Sequence, residues 1–149
     1  MMEKLLVSAC LLGCRCRYDG GDCADERVLA LRDTYELIPV CPEQMGGLPT
    51  PRLPSEIREG RVYMKDGTDV TAAFASGAAA ALYIAKTLGS TKAVLKAKSP
   101  SCGKGLVYDG TFTGGKVPGD GVTAALLKKN GVSVYTEEET DMLLTDEIY

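Results

Sequence analysis

The sequence predicts an α/β protein with a three-layer, Rossmann-like fold, in which helices cover both faces of a mostly parallel open sheet. Short apolar runs at residues 5–10, 36–40 and 93–97 are typical of buried strands. Helical patterns separate these runs, and strands that alternate with helices indicate a parallel sheet. At 149 residues, the chain is long enough for one domain, so we predict a single domain over residues 1–149.

Up to residue 88, the sequence also predicts two helices, with a long irregular loop and a short strand between them. Asp22 is predicted to cap a helix over about residues 23–33. Four prolines and two glycines fall within residues 41–57, which predicts a long irregular loop, and loops of this length are usually functional or disordered. A short strand and turn follow at residues 61–67, and an alanine-rich helix is expected over residues 71–88.

The second half ends in elements with clear terminal signals. Residues 108–121 are rich in glycine, and we predict that they form a mobile hairpin over the functional site that is described below. Asp120 is expected to cap a helix over about residues 122–129, and a last strand follows at residues 132–134. The segment 136–139 has the pattern of a capping box that opens a final helix.

Composition places the protein among ordinary globular chains, with 45% hydrophobic and 25% charged residues. The apolar run near the N-terminus is too short for a signal peptide or a membrane span, so we expect a cytoplasmic protein without membrane contact. A net charge of −3 argues against a large nucleic-acid footprint. In the cytoplasm, the six cysteines are better explained as metal ligands or catalysts than as disulfides.

The chain has no histidine, which removes several classes of site. A Ser-His-Asp or Cys-His nucleophile, a histidine-ligated zinc ion and a Rieske centre are all excluded. An acid or base has to be Glu, Asp, Lys, Tyr or Cys. A soft metal has to be held by thiolates.

Three cysteines stand at or just beyond the ends of the three predicted strands, namely Cys10, Cys41 and Cys102. Because parallel strands share a carboxyl edge, where open α/β sheets bind ligands, we expect these thiols to converge. Three thiolates without histidine could hold zinc or an iron–sulfur cluster, and a cubane held by three leaves one iron open as a Lewis acid. Cys16 stays open as an alternate ligand, a sulfur relay or a bystander. Cys14 and Cys23 are expected to be free thiols without a role.

Two further residues next to these cysteines are candidate catalytic groups. Glu43 follows Cys41 by two positions and, with no histidine present, is the natural candidate for a general base. Its alternative is a solvated loop residue or helix cap. Ser101 adjoins Cys102 and could orient a water or donate to a substrate, with a turn-stabilising hydroxyl as the alternative.

Five segments of the chain together resemble a known bacterial family, the thiouracil desulfurases, over nearly the whole length. The segments are residues 7–13 (VSACLLG), 16–20 (CRYDG), 40–43 (VCPE), 46–52 (GGLPTPR) and 98–103 (KSPSCG). The resemblance implies a [4Fe-4S] cluster on Cys10, Cys41 and Cys102, with Glu43 and Ser101 catalytic. It further implies that the thiocarbonyl sulfur of the substrate binds the open iron, that water attacks the carbon, and that sulfide is released.

The resemblance also implies a substrate and a set of pocket residues. Some relatives carry an additional C-terminal domain and act on 4-thiouridine in tRNA. We expect this protein to lack that domain, which favours a small thiolated pyrimidine base or nucleoside over nucleic acid. We expect substrate contacts from four residues, Arg17, Tyr18, Asp19 and Arg52. The competing hypothesis is a thiolate-based metal-binding or redox-sensing module without turnover, which zinc at unit stoichiometry would favour.

Overall fold

Eight strands and five helices make up the chain in a computed structural model that describes residues 2–148, with side chains described for residues 2–146. The strands are β1 (Glu3–Ser8), β2 (Tyr35–Val40), β3 (Ser55–Arg58), β4 (Arg61–Met64), β5 (Lys92–Leu95), β6 (Leu106–Tyr108), β7 (Lys116–Pro118) and β8 (Ser133–Thr136). The helices are α1 (Glu26–Leu29), α2 (Pro42–Met45), α3 (Thr71–Leu88), α4 (Val122–Lys129) and α5 (Thr140–Ile148). Single 3-10 turns occupy Ala9–Leu12, Ala30–Asp33 and Glu137–Glu139.

The central sheet has four parallel strands in the order β2-β1-β5-β8. This confirms the predicted α/β class and puts the ends of β2, β1 and β5 side by side at one edge. Two small antiparallel hairpins, β3–β4 and β6–β7, lie outside the sheet. The second hairpin is the one predicted over residues 108–121; its mobility stays a prediction.

Helices pack on both faces of the sheet because side chains alternate along each strand. On one face, Leu5 and Val7 of β1 pack with buried residues of α1 and α5, Val28 and Leu143. On the other face, Leu6 of β1 joins a second cluster with α3 and α4, built from Ala81, Ala85, Ala124 and Leu127. Small alanines on α3 let that helix approach the sheet closely. The result is the three-layer arrangement that the sequence predicts.

Two predicted helix caps are wrong, and in each case another residue or bond satisfies the backbone. The first helix begins three residues later than predicted, because Asp25 accepts the N–H of Arg27 at 2.9 Å while Asp22 forms a local turn with Ala24. Asp120 does not cap α4; its carboxylate accepts the N–H of Gly105 at 2.8 Å and the ammonium group of Lys128 at 2.9 Å.

The segment 41–57 is more ordered than predicted, since it contains α2 and the start of β3. The prolines are the reason why neither element was predicted. Pro42 occupies the first turn of α2, where its missing N–H breaks no hydrogen bond of the helix. The capping box at Thr136 and Glu139 is confirmed. No helix within residues 2–148 combines the length and apolar character needed to cross a bilayer.

Candidate functional site

A cavity of about 470 Å³ opens at the carboxyl edge of the sheet. Its walls come from the segments that follow β1, β2 and β5, and from both hairpins. This is the position at which parallel α/β sheets bind ligands, because the loops after neighbouring strands diverge there. A cavity of this size matches the usual range for small-molecule sites.

Four thiols line this cavity. Cys10 lies in the 3-10 turn that directly follows β1, Cys41 immediately follows β2, and Cys102 lies in the loop after β5. Cys16, from the loop after Cys10, lines the same wall, and the Cys41 thiol donates to its carbonyl oxygen at 3.8 Å. The structure therefore brings together residues that are up to 92 positions apart in sequence, as the strand-end argument expects.

The other two cysteines lie outside the cavity wall. Cys14 is exposed, and Cys23 is half-buried and accepts a hydrogen bond from the Arg17 guanidinium at 3.3 Å. All six cysteines are free thiols. Neither side chain lines the cavity, and Cys23 contacts it only indirectly, through Arg17.

Three of the cavity thiols, those of Cys16, Cys41 and Cys102, have pKa values above the usual range of a cysteine. A hydrogen bond with Cys10, aided by burial, raises the pKa of the Cys16 thiol to about 11. A hydrogen bond with Cys16 and burial raise the pKa of Cys41 far above its usual range. Burial raises the pKa of Cys102 to about 12, against the opposing effect of the Ser8 and Ser101 hydroxyls. A metal that replaces these protons would supply the positive charge that a buried thiolate needs.

The donor set fits an iron–sulfur cluster better than a single metal ion. Among the side chains described for residues 2–146, no three Cys, Asp or Glu groups are close enough together to hold one ion. The ligands of a cubane need not meet at a point, because each binds a different iron at a corner of the cluster. Thiolates that surround a cavity, with no imidazole available, are the ligands that such clusters use.

Glu43 presents its carboxylate to the same cavity from the first turn of α2. Helix α2 touches α3 so closely that a Cβ on Gly77 would lie 1.8 Å from the carbonyl oxygen of Pro42. The Nε of Arg52 donates to Glu43 Oε1 at 3.2 Å. Burial raises the pKa of the Glu43 carboxyl, and the neighbouring Arg52 guanidinium offsets part of the rise.

Arg52 lines the cavity but directs its donors into the protein. Its guanidinium makes three hydrogen bonds besides the one to Glu43: to the Pro49 carbonyl at 3.1 Å, the Thr50 hydroxyl at 2.9 Å and the Cys16 carbonyl at 2.9 Å. The side chain is only 3% exposed. Each of the three guanidinium nitrogens of Arg52 thus has an acceptor within the protein, and its predicted contact with substrate stays a prediction.

Of the remaining predicted site residues, two line the cavity and two do not. Arg17 and Tyr18 line the cavity, with the Arg17 guanidinium 5.5 Å from the centre of the Tyr18 ring. Asp19 lies outside the wall and accepts the N–H of Gly21 at 2.9 Å in an exposed turn. Ser101 is fully buried behind Cys102 and shares a 2.7 Å hydrogen bond with the Thr123 hydroxyl.

Several residues that line the cavity were not predicted from the sequence. Tyr108 and Phe112 come from the β6–β7 hairpin, and Glu56 and Lys65 come from the region of the β3–β4 hairpin. The predicted hairpin over residues 108–121 was the one feature of the sequence that could have indicated the two aromatic residues. No such signal exists for Glu56, because β3 was assigned to an irregular loop.

The fold and this cavity define an α/β protein with a thiolate-lined ligand site at the carboxyl edge of a parallel sheet. A family model described as 2-thiouracil desulfurase matches residues 5–139. The chain belongs to the 2-thiouracil desulfurase family, which confirms the resemblance inferred from its five motifs.

Two individual proteins are similar to this chain over almost their whole length. The uncharacterized protein YbbK of Bacillus subtilis (strain 168) is 43% identical over 150 residues, covering 94% of this chain and 99% of that protein. A solved structure of the [4Fe-4S]-dependent thiouracil desulfidase TudS is 41% identical, covers 99% of each chain and superposes with a TM-score of 0.92.

Proposed function

We propose that this protein is a [4Fe-4S]-dependent desulfurase that removes sulfur from thiouracil or a related thiolated pyrimidine. The observation that carries the proposal is a single cavity in which four thiols face a carboxylate, in a member of the 2-thiouracil desulfurase family. The cofactor is that of the similar enzyme TudS, whose description names a [4Fe-4S] cluster.

Cys10, Cys41 and Cys102 are assigned as the cluster ligands because they stand beyond three adjacent strands of one sheet. Cys16 is the alternate ligand, since its thiol lies among those of Cys10 and Cys41. When bound, the cluster supplies an iron without a protein ligand, which acts as a Lewis acid toward the thiocarbonyl sulfur. Binding of the cluster requires each ligand thiol to give up its proton.

The reaction is a hydrolysis and needs no net electrons. The C=S bond is replaced by C=O, the oxygen comes from water, and both protons of that water leave with the sulfide. Glu43 is assigned as the group that accepts the first of these protons, because it is the carboxylate that follows Cys41 on the cavity wall. Arg52 holds this carboxylate in place through Oε1.

For Ser101, we propose a role other than orienting a water molecule. Its hydroxyl is bonded to Thr123 behind the wall and acts on the Cys102 thiol, whose pKa it lowers. We therefore assign Ser101 to the positioning of Cys102. This role accounts for a buried hydroxyl next to a proposed ligand without requiring contact with substrate.

A free base or nucleoside is the substrate that best fits a cavity of about 470 Å³. Thiolated tRNA is the second candidate, and competition between the two separates them. We place the reaction in the cytoplasm, since six free thiols are compatible with a reducing compartment.

The function is tested with protein that is reconstituted with iron and sulfide under anaerobic conditions. We expect four irons per chain, conversion of 2-thiouracil to uracil and release of one sulfide per turnover. Replacement of Cys10, Cys41 or Cys102 by Ser should abolish cluster absorption, whereas Cys16→Ser should retain it. If Cys16→Ser loses the cluster and one of the other three keeps it, the ligand assignment changes accordingly.

The role of Glu43 is tested by Glu43→Gln, which should retain the cluster and lower kcat by about 100-fold or more, the usual contribution of a general base. Glu36→Gln is the matched control, because Glu36 lies on the exposed opposite end of the strand that precedes Cys41. A loaded protein without turnover on any thiolated pyrimidine would overturn the function. Zinc at unit stoichiometry and no iron would favour the metal-binding module.

A further inference from the structure

The β6–β7 hairpin leans over the cavity and contributes two aromatic side chains to its wall. Tyr108 ends β6, and Phe112 lies at the tip between the two strands. Neither residue has a part in the ligand set or in the proposed proton transfer. Because both side chains line the same cavity as the thiols, a flat substrate bound there could contact them.

Phe112 adopts a backbone conformation that is unfavourable for a bulky side chain. Its φ angle is +59°, in the left-handed region that glycine normally occupies. Residues held in this way are concentrated at functional sites, where the surrounding structure maintains the conformation. Phe112 is therefore presented to the cavity at a conformational cost that an ordinary hairpin tip would avoid.

Glu56 of the neighbouring hairpin maintains this conformation. Its Oε1 accepts two backbone N–H groups of the tip, from Gly110 at 3.0 Å and from Phe112 at 3.1 Å. The contact between the hairpins is close, because a Cβ on Gly110 would lie 2.8 Å from the Cβ of Arg58. The tip is thus anchored to the adjacent strand β3.

Phe112 differs from Tyr18 and Tyr108, the other two aromatic residues of the wall. Among the described side chains, no cation or aromatic ring packs against the Phe112 ring. The Tyr18 ring has Arg17 at 5.5 Å, and the Tyr108 ring has the Lys116 ammonium group at 5.2 Å. Phe112 is half-buried and apolar, with a π face not paired to another ring or cation in the part of the chain that the structure describes. Planar pyrimidine rings stack on such faces, whichever substituents they carry.

We propose that Phe112 is the residue on which the pyrimidine ring of the substrate stacks, and that Glu56 is its positioning residue. The inference rests on the proposed function, since it takes the substrate to be a thiolated pyrimidine. It also defines specificity: the site selects planar aromatic thiocarbonyl compounds over saturated analogues that carry the same C=S group.

Kinetics of the loaded enzyme provide the first test. Loss of one base–aromatic stack weakens binding about 5- to 150-fold. We expect Phe112→Ala to raise the KM for 2-thiouracil by about this factor with a much smaller change in kcat, because stacking contributes equally to ground state and transition state. Phe112→Tyr should retain most of the affinity, and Phe112→Leu, which keeps apolar volume without a π face, should not.

Specificity and the role of Glu56 are tested in the same assay. Wild type should prefer 2-thiouracil over 5,6-dihydro-2-thiouracil in kcat/KM, and Phe112→Ala should remove most of that preference. Glu56→Ala should raise the KM for 2-thiouracil as Phe112→Ala does. Glu56→Gln keeps an acceptor oxygen for both N–H groups and should therefore have a KM close to that of the wild type. Tyr83→Ala is the control, since this aromatic side chain is 71% exposed on α3.

A measurement without the cluster separates failure of the inference from failure of the function. The ¹⁹F signal of 5-fluorouracil should move upfield when the cluster-free protein binds it, because of the ring current of Phe112, and Phe112→Ala should abolish this shift. Wild-type KM in Phe112→Ala, a loss confined to kcat, or no shift with wild type would each overturn the inference. Absence of desulfuration together with a normal ¹⁹F shift would overturn the function alone.

Discussion

At the level of single residues, Arg52 connects two segments of the proposed site, the one that carries Glu43 and the one that carries Cys16. One side of its guanidinium fork bonds to the Glu43 carboxylate, and another bonds to the carbonyl of Cys16. The backbone N–H of Arg52 also donates to the carbonyl of Tyr18 at 2.7 Å. A planar group with donors in fixed directions can hold both segments at once, which a lysine cannot do.

We therefore expect Arg52→Lys to lower kcat for thiouracil desulfuration by about 100-fold, since small displacements of a catalytic group cost about that much. Arg52→Ala should in addition lower the free energy of unfolding by up to about 3–5 kcal/mol, because it leaves a largely buried carboxylate unpaired. Steady-state kinetics and urea denaturation measure the two effects. Arg61→Lys is the control, since Arg61 pairs with Asp69 on the surface. An unchanged kcat in Arg52→Lys would show that Glu43 needs no such support.

At the scale of elements, the contact between α2 and α3 determines where Cys41 and Glu43 stand. Gly46 and Gly77 lie at this contact, and a Cβ on Gly46 would be 2.0 Å from the carbonyl oxygen of Ala73. The backbones of the two helices thus meet with no side chain between them. Helix α2 has four residues and little internal stability, so the long helix α3 acts as its support.

Gly77→Ala tests this dependence. In an isolated helix the exchange would stabilise by about 1 kcal/mol. Here the new Cβ would fall 1.8 Å from the Pro42 carbonyl oxygen, so the backbone of α2 has to move. We expect net destabilisation of about 1–3 kcal/mol, as for other overpacked sites, and lower iron occupancy. Ser76→Ala on the exposed face of α3 should show neither effect, and a Gly77→Ala protein with full iron content and wild-type stability would contradict the support role.

For the whole molecule, the proposed ligands connect three segments that the chain keeps far apart. Cys10, Cys41 and Cys102 follow β1, β2 and β5, so a bound cluster would cross-link the centre of the sheet at its carboxyl edge. A group that binds only the folded state stabilises it by mass action. The fold and the cofactor are therefore expected to be thermodynamically coupled.

Anaerobic loading should raise the melting temperature by about 5–10 °C, given a gain of about 2.7 kcal/mol at a hundredfold excess over Kd and about 2–4 °C per kcal/mol for a chain of this size. Removal of the cluster by chelation should reverse the gain. Differential scanning calorimetry in sealed cells would measure it. Cys14→Ser should keep the increase, because Cys14 is exposed outside the cavity, and Cys102→Ser should lose it. Equal melting temperatures with and without iron would show that loading and folding are independent.

Local signals explain why much of the architecture could be predicted. The strand pattern of residues 36–40, the alanine-rich helix over 71–88, and the capping box at Thr136 and Glu139 all depend on neighbours in sequence. The predicted cap was wrong where two aspartates lie within a few residues of each other. Both accept a backbone N–H two positions on, and only the N–H bonded by Asp25 belongs to the helix. Strand β3 was missed since its partner β4, across a hairpin, is what makes it a strand.

The sequence by itself determined the fold class, the family and the convergence of the thiols, because strand order and cysteine position together place residues at one edge of a sheet. Only the tertiary structure decided the rest of the wall. Arg52 turns its donors inward, Ser101 lies behind Cys102, and Phe112 is held over the cavity by Glu56. These outcomes depend on which groups meet across distant segments, and such contacts leave no periodic pattern in the chain.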